Sequence, residues 1–265
     1  MVCGSSLLAA AAGVGCGLLI ARWWQSGALN RARYRMRDLC LLRAKESLAE
    51  GPAISARHSR RFPIGRSDTA LVLIDMQTDF LSVEGRVGKH YDPARIQRME
   101  KTIDKVEELL TACRAAGLTI AHSRSHRYGA RVLPELIHPL DETYELHPRL
   151  RAKPGEIVVD KFTFGAFAST ELEERLRERG VTRILLGGVL TNVCVFATAV
   201  QAVDRFFRVC LVEDACGAFT DEWHERAVSL IEEPQVDPQA HHHSVGLYFG
   251  EVAAVSDVKA ALAQL

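Results

Sequence analysis

Gly187-Gly188-Val189-Leu190-Thr191-Asn192-Val193-Cys194 is the stretch on which the reading of this chain turns. The short run Thr182-Arg183-Ile184-Leu185-Leu186 precedes it. Val195-Phe196-Ala197-Thr198-Ala199-Val200-Gln201-Ala202-Val203 follows, with good helix formers and an apolar face. The pattern is strand, tight turn, helix, with Cys194 in the first turn of the helix. A thiol there lies in the positive end of the helix dipole, which favours thiolate, the nucleophilic form. A small buried cysteine is the plainer alternative, and the surroundings have to decide between the two.

Working outward, strands and helices alternate. Ala70-Leu71-Val72-Leu73-Ile74 is a continuous apolar run, as a strand buried on both faces requires. Pro93 to Ala116 carries helical spacing (Ile96, Met99, Ile103, Val106, Leu109, Leu110) and stops at Gly117. Leu118-Thr119-Ile120-Ala121 is a second strand, and 122–154 reads as irregular. Glu156-Ile157-Val158-Val159 is a third strand. A charged helix from Ser169 to Arg179 follows, with Ser169 as its N-cap. The fourth strand enters the opening motif and Arg208-Val209-Cys210-Leu211-Val212 is the fifth. Asp221 to Ile231 is a further helix, and Val252-Ala253-Ala254-Val255 a sixth strand before the last helix. The expected fold is α/β: a three-layer αβα sandwich around a mostly parallel six-stranded sheet.

Such sheets bind ligands at the carboxyl ends of their strands. That rule selects Asp75 after the first strand, His122 and Arg124 after the second, and Asp160 and Lys161 at the third. It selects the glycine turn and Cys194 after the fourth, and Glu213 and Asp214 after the fifth. An acid, a lysine and a cysteine at adjoining strand ends make a coherent set. Asp75 would take the thiol proton and return it to a leaving amine. Lys161 would hold that carboxylate and favour thiolate by its charge. Backbone N–H groups of Leu190 and Cys194 would receive the oxyanion of a tetrahedral intermediate. Taken singly, each residue has a plainer role: Asp75 in a turn, Lys161 in a surface ion pair.

Composition bounds the partners. Lys+Arg and Asp+Glu each number 33 in 265 residues, so no overall charge points to nucleic acid. Seven cysteines (3, 16, 40, 113, 194, 210, 216) are an odd number without a close CxxC pair, which fits thiols rather than a disulfide framework or zinc ribbon. Residues 1–37 hold five arginines and no acid, and 1–21 carry no charged side chain. The apolar run Leu7–Ile20 with Trp23 and Trp24 behind it reads as an N-terminal hydrophobic helix, approaching the roughly 20 residues a membrane span needs. Residues 1–25 are thus expected to anchor the chain in a membrane with the catalytic domain in the cytosol. A mitochondrial or other organelle-targeting segment is the alternative. Residues 26–66 read as a basic linker with a helix over 39–49, and 67–265 as the globular domain.

With these residues in hand, the segment from about Thr69 to Leu265 resembles the isochorismatase-like cysteine hydrolases. The matching pieces are Leu73-Ile74-Asp75-Met76-Gln77-Thr78-Asp79-Phe80, Val159-Asp160-Lys161-Phe162, and Gly187 to Cys194 with Val195. The resemblance implies an Asp75–Lys161–Cys194 triad, a non-proline cis peptide at Val189-Leu190 and homo-oligomers. Isochorismatases of the family often lack the cysteine; Cys194 therefore favours a hydrolase that cleaves a C–N bond through a thioester. The pieces Thr191-Asn192-Val193-Cys194, Glu213-Asp214-Ala215-Cys216-Gly217-Ala218 and Phe249-Gly250-Glu251-Val252 look most like the branch acting on ureido compounds: biuret, triuret, ureidoacrylate and N-carbamoyl amino acids.

Nicotinamidases of the family add a metal through an Asp-x-His pattern. Here His90 follows Gly88-Lys89, and His122 and His126 lack the nearby acid, so no metal and no cofactor are expected. The partner expected is a small amide or ureido substrate. Candidate contacts for it are Gln77 and Phe80 in the first motif, Arg124 with its bidentate fork, and Phe164, one of two aromatics that would narrow the pocket after Lys161. Glu232 to His243 looks like an inserted polar loop, His241 to His243 included. Two other readings stay open. An isochorismatase-type hydrolase would form no thioester; a non-catalytic or redox-sensing protein on the same fold would hydrolyse nothing.

Overall fold

Two short antiparallel strands, β1 (Ala53–Ser55) and β2 (Arg61–Pro63), precede the main sheet in the computed structural model, which describes residues 51–85, 87–126, 142–232 and 249–265. The sheet contains β3 (Thr69–Ile74), β4 (Thr119–Ser125), β5 (Ile157–Lys161), β6 (Arg183–Val189), β7 (Arg208–Gly217) and β8 (Glu251–Ala253). All neighbours pair in parallel, in the order β5-β4-β3-β6-β7-β8. Helices fill the connections: α1 (Thr78–Leu81), α2 (Pro93–Ala115), α3 (Leu172–Glu178), α4 (Phe196–Asp204), α5 (Asp221–Glu232) and α6 (Val255–Leu262). These residues belong to one compact unit, Glu50–Leu265.

The apolar runs are continuous because helices cover both faces. Within β3, Leu71 and Leu73 enter one core with Ile96, Met99 and Val106 of α2 and Val255 and Val258 of α6. Ala70, Val72 and Ile74 enter the other, with Leu172 of α3, Ala199 of α4 and Ile231 of α5. Alternation with period two thus sends one strand into two cores. The α2 helix starts where Asp92 Oδ1 accepts the Ala94 N–H at 2.9 Å with Pro93 behind the cap, and ends before Gly117 at φ +75°. From β3 the chain moves out to β4 and β5, then returns to β6 on the other side of β3. That reversal opens a crevice at the carboxyl ends of β3 and β6.

Several expectations need correction. His122 and Arg124 lie within β4, not after it, and Glu213 and Asp214 lie within β7. The register between β6 and β7 shifts between Leu186 and Gly188, which lets β7 run on through polar residues. Asp214 Oδ1 accepts the Val255 N–H at 2.8 Å and Glu213 pairs with Arg57, so both acids are occupied away from the crevice. Glu171, not Ser169, occupies the N-cap of α3, because Ser169 Oγ accepts the Phe162 N–H at 3.0 Å. The end of the supposed linker is built into the fold: Ile54 and Phe62 of the β1–β2 hairpin are fully buried, and Arg60 Nη1 donates to Glu232 O at 2.8 Å. Arg57 of the same segment is matched by Glu213 and Glu232, acids far away in the sequence.

The membrane-anchored placement is withdrawn. No helix among the described residues is long and apolar enough to cross a membrane. Residues 1–25, on which the anchor, the N-terminal hydrophobic helix and the targeting alternative all rested, lie outside the described residues, as do His241–His243 and Cys3, Cys16 and Cys40.

Candidate active site

β3 ends in a sharp turn at Asp75, whose φ is +52°. Its N–H donates to Ser123 O on β4 at 3.1 Å, and Ser123 Oγ donates to Asp75 Oδ1 at 2.7 Å. Lys161, the last residue of β5, is fully buried. Its Nζ lies 2.8 Å from Asp75 Oδ2 and donates to Thr163 O at 3.1 Å. β4 stands between β5 and β3, so the lysine stem passes the end of β4 to reach the carboxylate. The buried carboxylate thus meets one cation through Oδ2 and one hydroxyl donor through Oδ1.

The third element is the turn after β6. The Val189-Leu190 peptide is cis. Leu190 caps a π-helical turn, Thr191–Val195, and its carbonyl accepts the Val193 and Val195 N–H groups at 3.0 and 3.2 Å. Cys194 lies in this turn, partly exposed and outside any disulfide. Thr198 Oγ1, one helical turn on in α4, donates to Cys194 O at 2.7 Å. Glycine is required at 188: φ is +121° and a Cβ would overlap the Ile74 backbone of β3. The two strand ends that carry Asp75 and the Cys194 turn therefore approach as closely as bare backbone permits. The other described cysteines differ in kind. Burial pushes the Cys113 thiol up to about 12, and pushes Cys210 and Cys216 well above the ordinary thiol value.

Against this geometry, the isochorismatase domain model matches residues 69–242. The chain belongs to the isochorismatase family. It is a hydrolase whose relatives include amidohydrolases. A ureidoacrylate amidohydrolase from Variovorax paradoxus is 26% identical over 235 residues, covering 79% of this chain and 87% of the relative. Among solved structures, a cysteine hydrolase from Pseudomonas syringae superposes with a TM-score of 0.64 at 23% identity, covering 81% of this chain and 99% of that one, a likeness of fold. N-carbamoylsarcosine amidase from Thermoplasma acidophilum gives a TM-score of 0.50 at 25% identity, covering 60% of this chain and 89% of that one.

In this family member the expected substrate contacts fare unequally. Gln77 is fully buried and spent on structure: its Nε2 donates to Tyr144 O and its Oε1 accepts the Ser125 N–H, both at 2.6 Å. It ties the ends of β3 and β4 to the 142–146 segment. Phe80 packs against the core beneath α2. Arg124 has no fork to offer. It grips Asp160 through Nε at 2.7 Å and Nη2 at 3.0 Å, meets Glu145 through Nη1 at 2.8 Å, and lies over the Tyr144 ring. Burial pushes the Asp160 carboxyl up, but the hydrogen bonds from Arg124 and Tyr144 outweigh it and hold it below its usual range. Phe164 is 51% exposed on the segment just past Lys161, and Phe162 stands edge-on to His126 with ring centres 4.9 Å apart.

Sequence reasoning missed Ser123, which fixes Asp75, and Thr163, whose carbonyl fixes Lys161. Ser123 sits beside Ile74 in the β3–β4 register, so the pairing would have pointed to it. It also missed His224 of α5, whose Nδ1 is 2.9 Å from Thr191 Oγ1. No local signal marks that pairing. Among the described residues no group of three or more His, Cys, Asp or Glu side chains is placed to hold a metal ion.

Proposed function

We propose that this hydrolase cleaves a C–N bond of a small linear amide or ureido compound through a thioester on Cys194. The observation that carries the reading is the buried Asp75–Lys161 contact of 2.8 Å at the carboxyl edge of the sheet, with Asp75 at the end of the strand next to the one that enters the Cys194 turn. Asp75 takes the Cys194 proton, and the thiolate attacks the substrate carbonyl, forming a C–S bond. The Leu190 and Cys194 N–H groups receive the oxyanion. Asp75 then protonates the departing nitrogen as the C–N bond breaks. Water enters, gives its proton to Asp75, and attacks the thioester; the acid product leaves and the thiol is restored. Lys161 holds the Asp75 carboxylate in place and adds positive charge on the side of the thiolate. Phe164, exposed at the mouth, supplies an apolar face for the substrate. The similarity to amidohydrolases of ureidoacrylate and N-carbamoylsarcosine supports the ureido class.

The test is a turnover screen over ureidoacrylate, N-carbamoyl amino acids, biuret, triuret and nicotinamide, run with wild type and Cys194→Ala. A loss of at least about a thousandfold in the variant is expected, with the fold intact. Mass spectrometry of wild type quenched during turnover should show Cys194 carrying the acyl group. Full activity in Cys194→Ala would sink the mechanism.

A further inference from the structure

The nucleophile turn is secured from outside its own segment by a residue in none of the three motifs. Thr191 is fully buried and follows Leu190 directly. A buried hydroxyl needs a partner, and its Oγ1 finds one in His224 Nδ1 at 2.9 Å. His224 sits in the first turn of α5, which packs across Thr191–Val195. Burial holds His224 below the ordinary imidazole value, so the ring is neutral at pH 7, with one nitrogen an acceptor and the other a donor. Within the strand–turn–helix segment itself, Leu190 O accepts inside the turn and Thr198 Oγ1 donates to Cys194 O. The Leu190 N–H is only one peptide from Thr191. Restraining the Thr191 side chain restrains the peptide that joins Leu190 to Thr191, and so limits how far that N–H can swing.

From this we infer that His224 is a positioning residue for acyl transfer: through Thr191 it aims the oxyanion-binding turn without touching the substrate. The inference rests on the thioester reading above. It separates two reactions of one thiol. Alkylation by iodoacetamide displaces iodide and develops no oxyanion. Acylation by p-nitrophenyl acetate passes through a tetrahedral oxyanion before p-nitrophenolate leaves. A turn that has lost its aim should hinder the second reaction and spare the first.

The experiment measures both rates on Cys194 in wild type, His224→Leu, His224→Asn, Thr191→Val and the Thr191→Val/His224→Leu double variant. His224→Leu should slow acylation by roughly 10- to 100-fold, the scale of a misplaced oxyanion donor. Alkylation should stay within about threefold. His224→Asn, whose side-chain amide can still meet the Thr191 hydroxyl, should recover most of the loss. Thr191→Val should match His224→Leu, and the double variant should be no slower than either single one. Acylation at the wild-type rate in His224→Leu overturns the inference. So does an equal loss of both reactions, which marks a general collapse, and so does an additive double variant. If wild-type Cys194 is alkylated but never acylated, the thioester reading itself falls and the inference with it.

Discussion

Asp75 and Glu156 are two shielded carboxylates, each facing a cation, and they are finished in opposite ways. Asp75 stands at the carboxyl edge of the sheet and Glu156 just ahead of β5 at the amino edge. Glu156 is saturated: Oε1 accepts Arg114 Nε at 2.7 Å, and Oε2 accepts Arg114 Nη2 and the Lys153 N–H, both at 2.8 Å, and meets His122 Nε2 at 3.1 Å. Asp75 has fewer partners: Oδ1 accepts from Ser123 Oγ, and Oδ2 faces Lys161 Nζ at 2.8 Å. Glu156 joins three elements through those bonds. Under the proposed mechanism, the fewer partners of Asp75 leave it room to move a proton.

The largest effect expected from this contrast is on turnover. Asp75→Asn preserves shape and removes the base, and should lower kcat by about a hundredfold to ten-thousandfold. Glu156→Gln, equally isosteric, should leave kcat within about threefold. If the two variants lose activity alike, the contrast between reactive and structural carboxylate is wrong. Next in size is stability. Lys161→Met keeps the length of the stem but leaves Asp75 charged and buried without its cation, which should cost about 3–5 kcal/mol. Urea midpoints of wild type, Lys161→Met and the Asp75→Asn/Lys161→Met double variant check this. The double variant, with no stranded charge, should regain much of the loss.

The two edges also differed in how legible they were. Asp75, Lys161 and Cys194 could be picked out because each breaks an apolar run at a strand end, and a parallel sheet gathers such ends on one edge. Glu156 gave no such sign, and His122, which the same rule selected, instead meets Glu156, because that pairing depends on the β4–β5 register and on Arg114 at the far end of α2. The same limit explains Glu213 and Asp214. Two adjacent acids look like the end of a strand, yet β7 runs through them because Arg57 and the Val255 N–H receive their charge. Ile54 and Phe62 stand apart among basic and polar residues, so their hairpin looked like linker. Arg124 looked available only while Asp160 and Glu145 were far away in sequence. In each case the missing information was a partner distant along the chain, not a property of the residue.

The smallest effect concerns Glu156 alone and depends on pH. Burial pushes its carboxyl up, but the hydrogen bonds from Arg114, His122 and the Lys153 N–H outweigh that and hold it well below the ordinary value of 4.5. A carboxylate depressed in the folded state stabilises the fold above its unfolded value and loses that contribution as pH falls toward the folded one. Glu156→Gln forfeits hydrogen bonds to charged groups and should cost about 1.5–3 kcal/mol at pH 7. Thermal unfolding of wild type and variant should therefore show their widest gap at neutral pH. The gap should close as pH falls below about 4.5, where the unfolded carboxyl takes up its proton. A gap that widens on acidification would mean that Glu156 is not held down by Arg114, and the saturated half of the comparison would have to be redrawn.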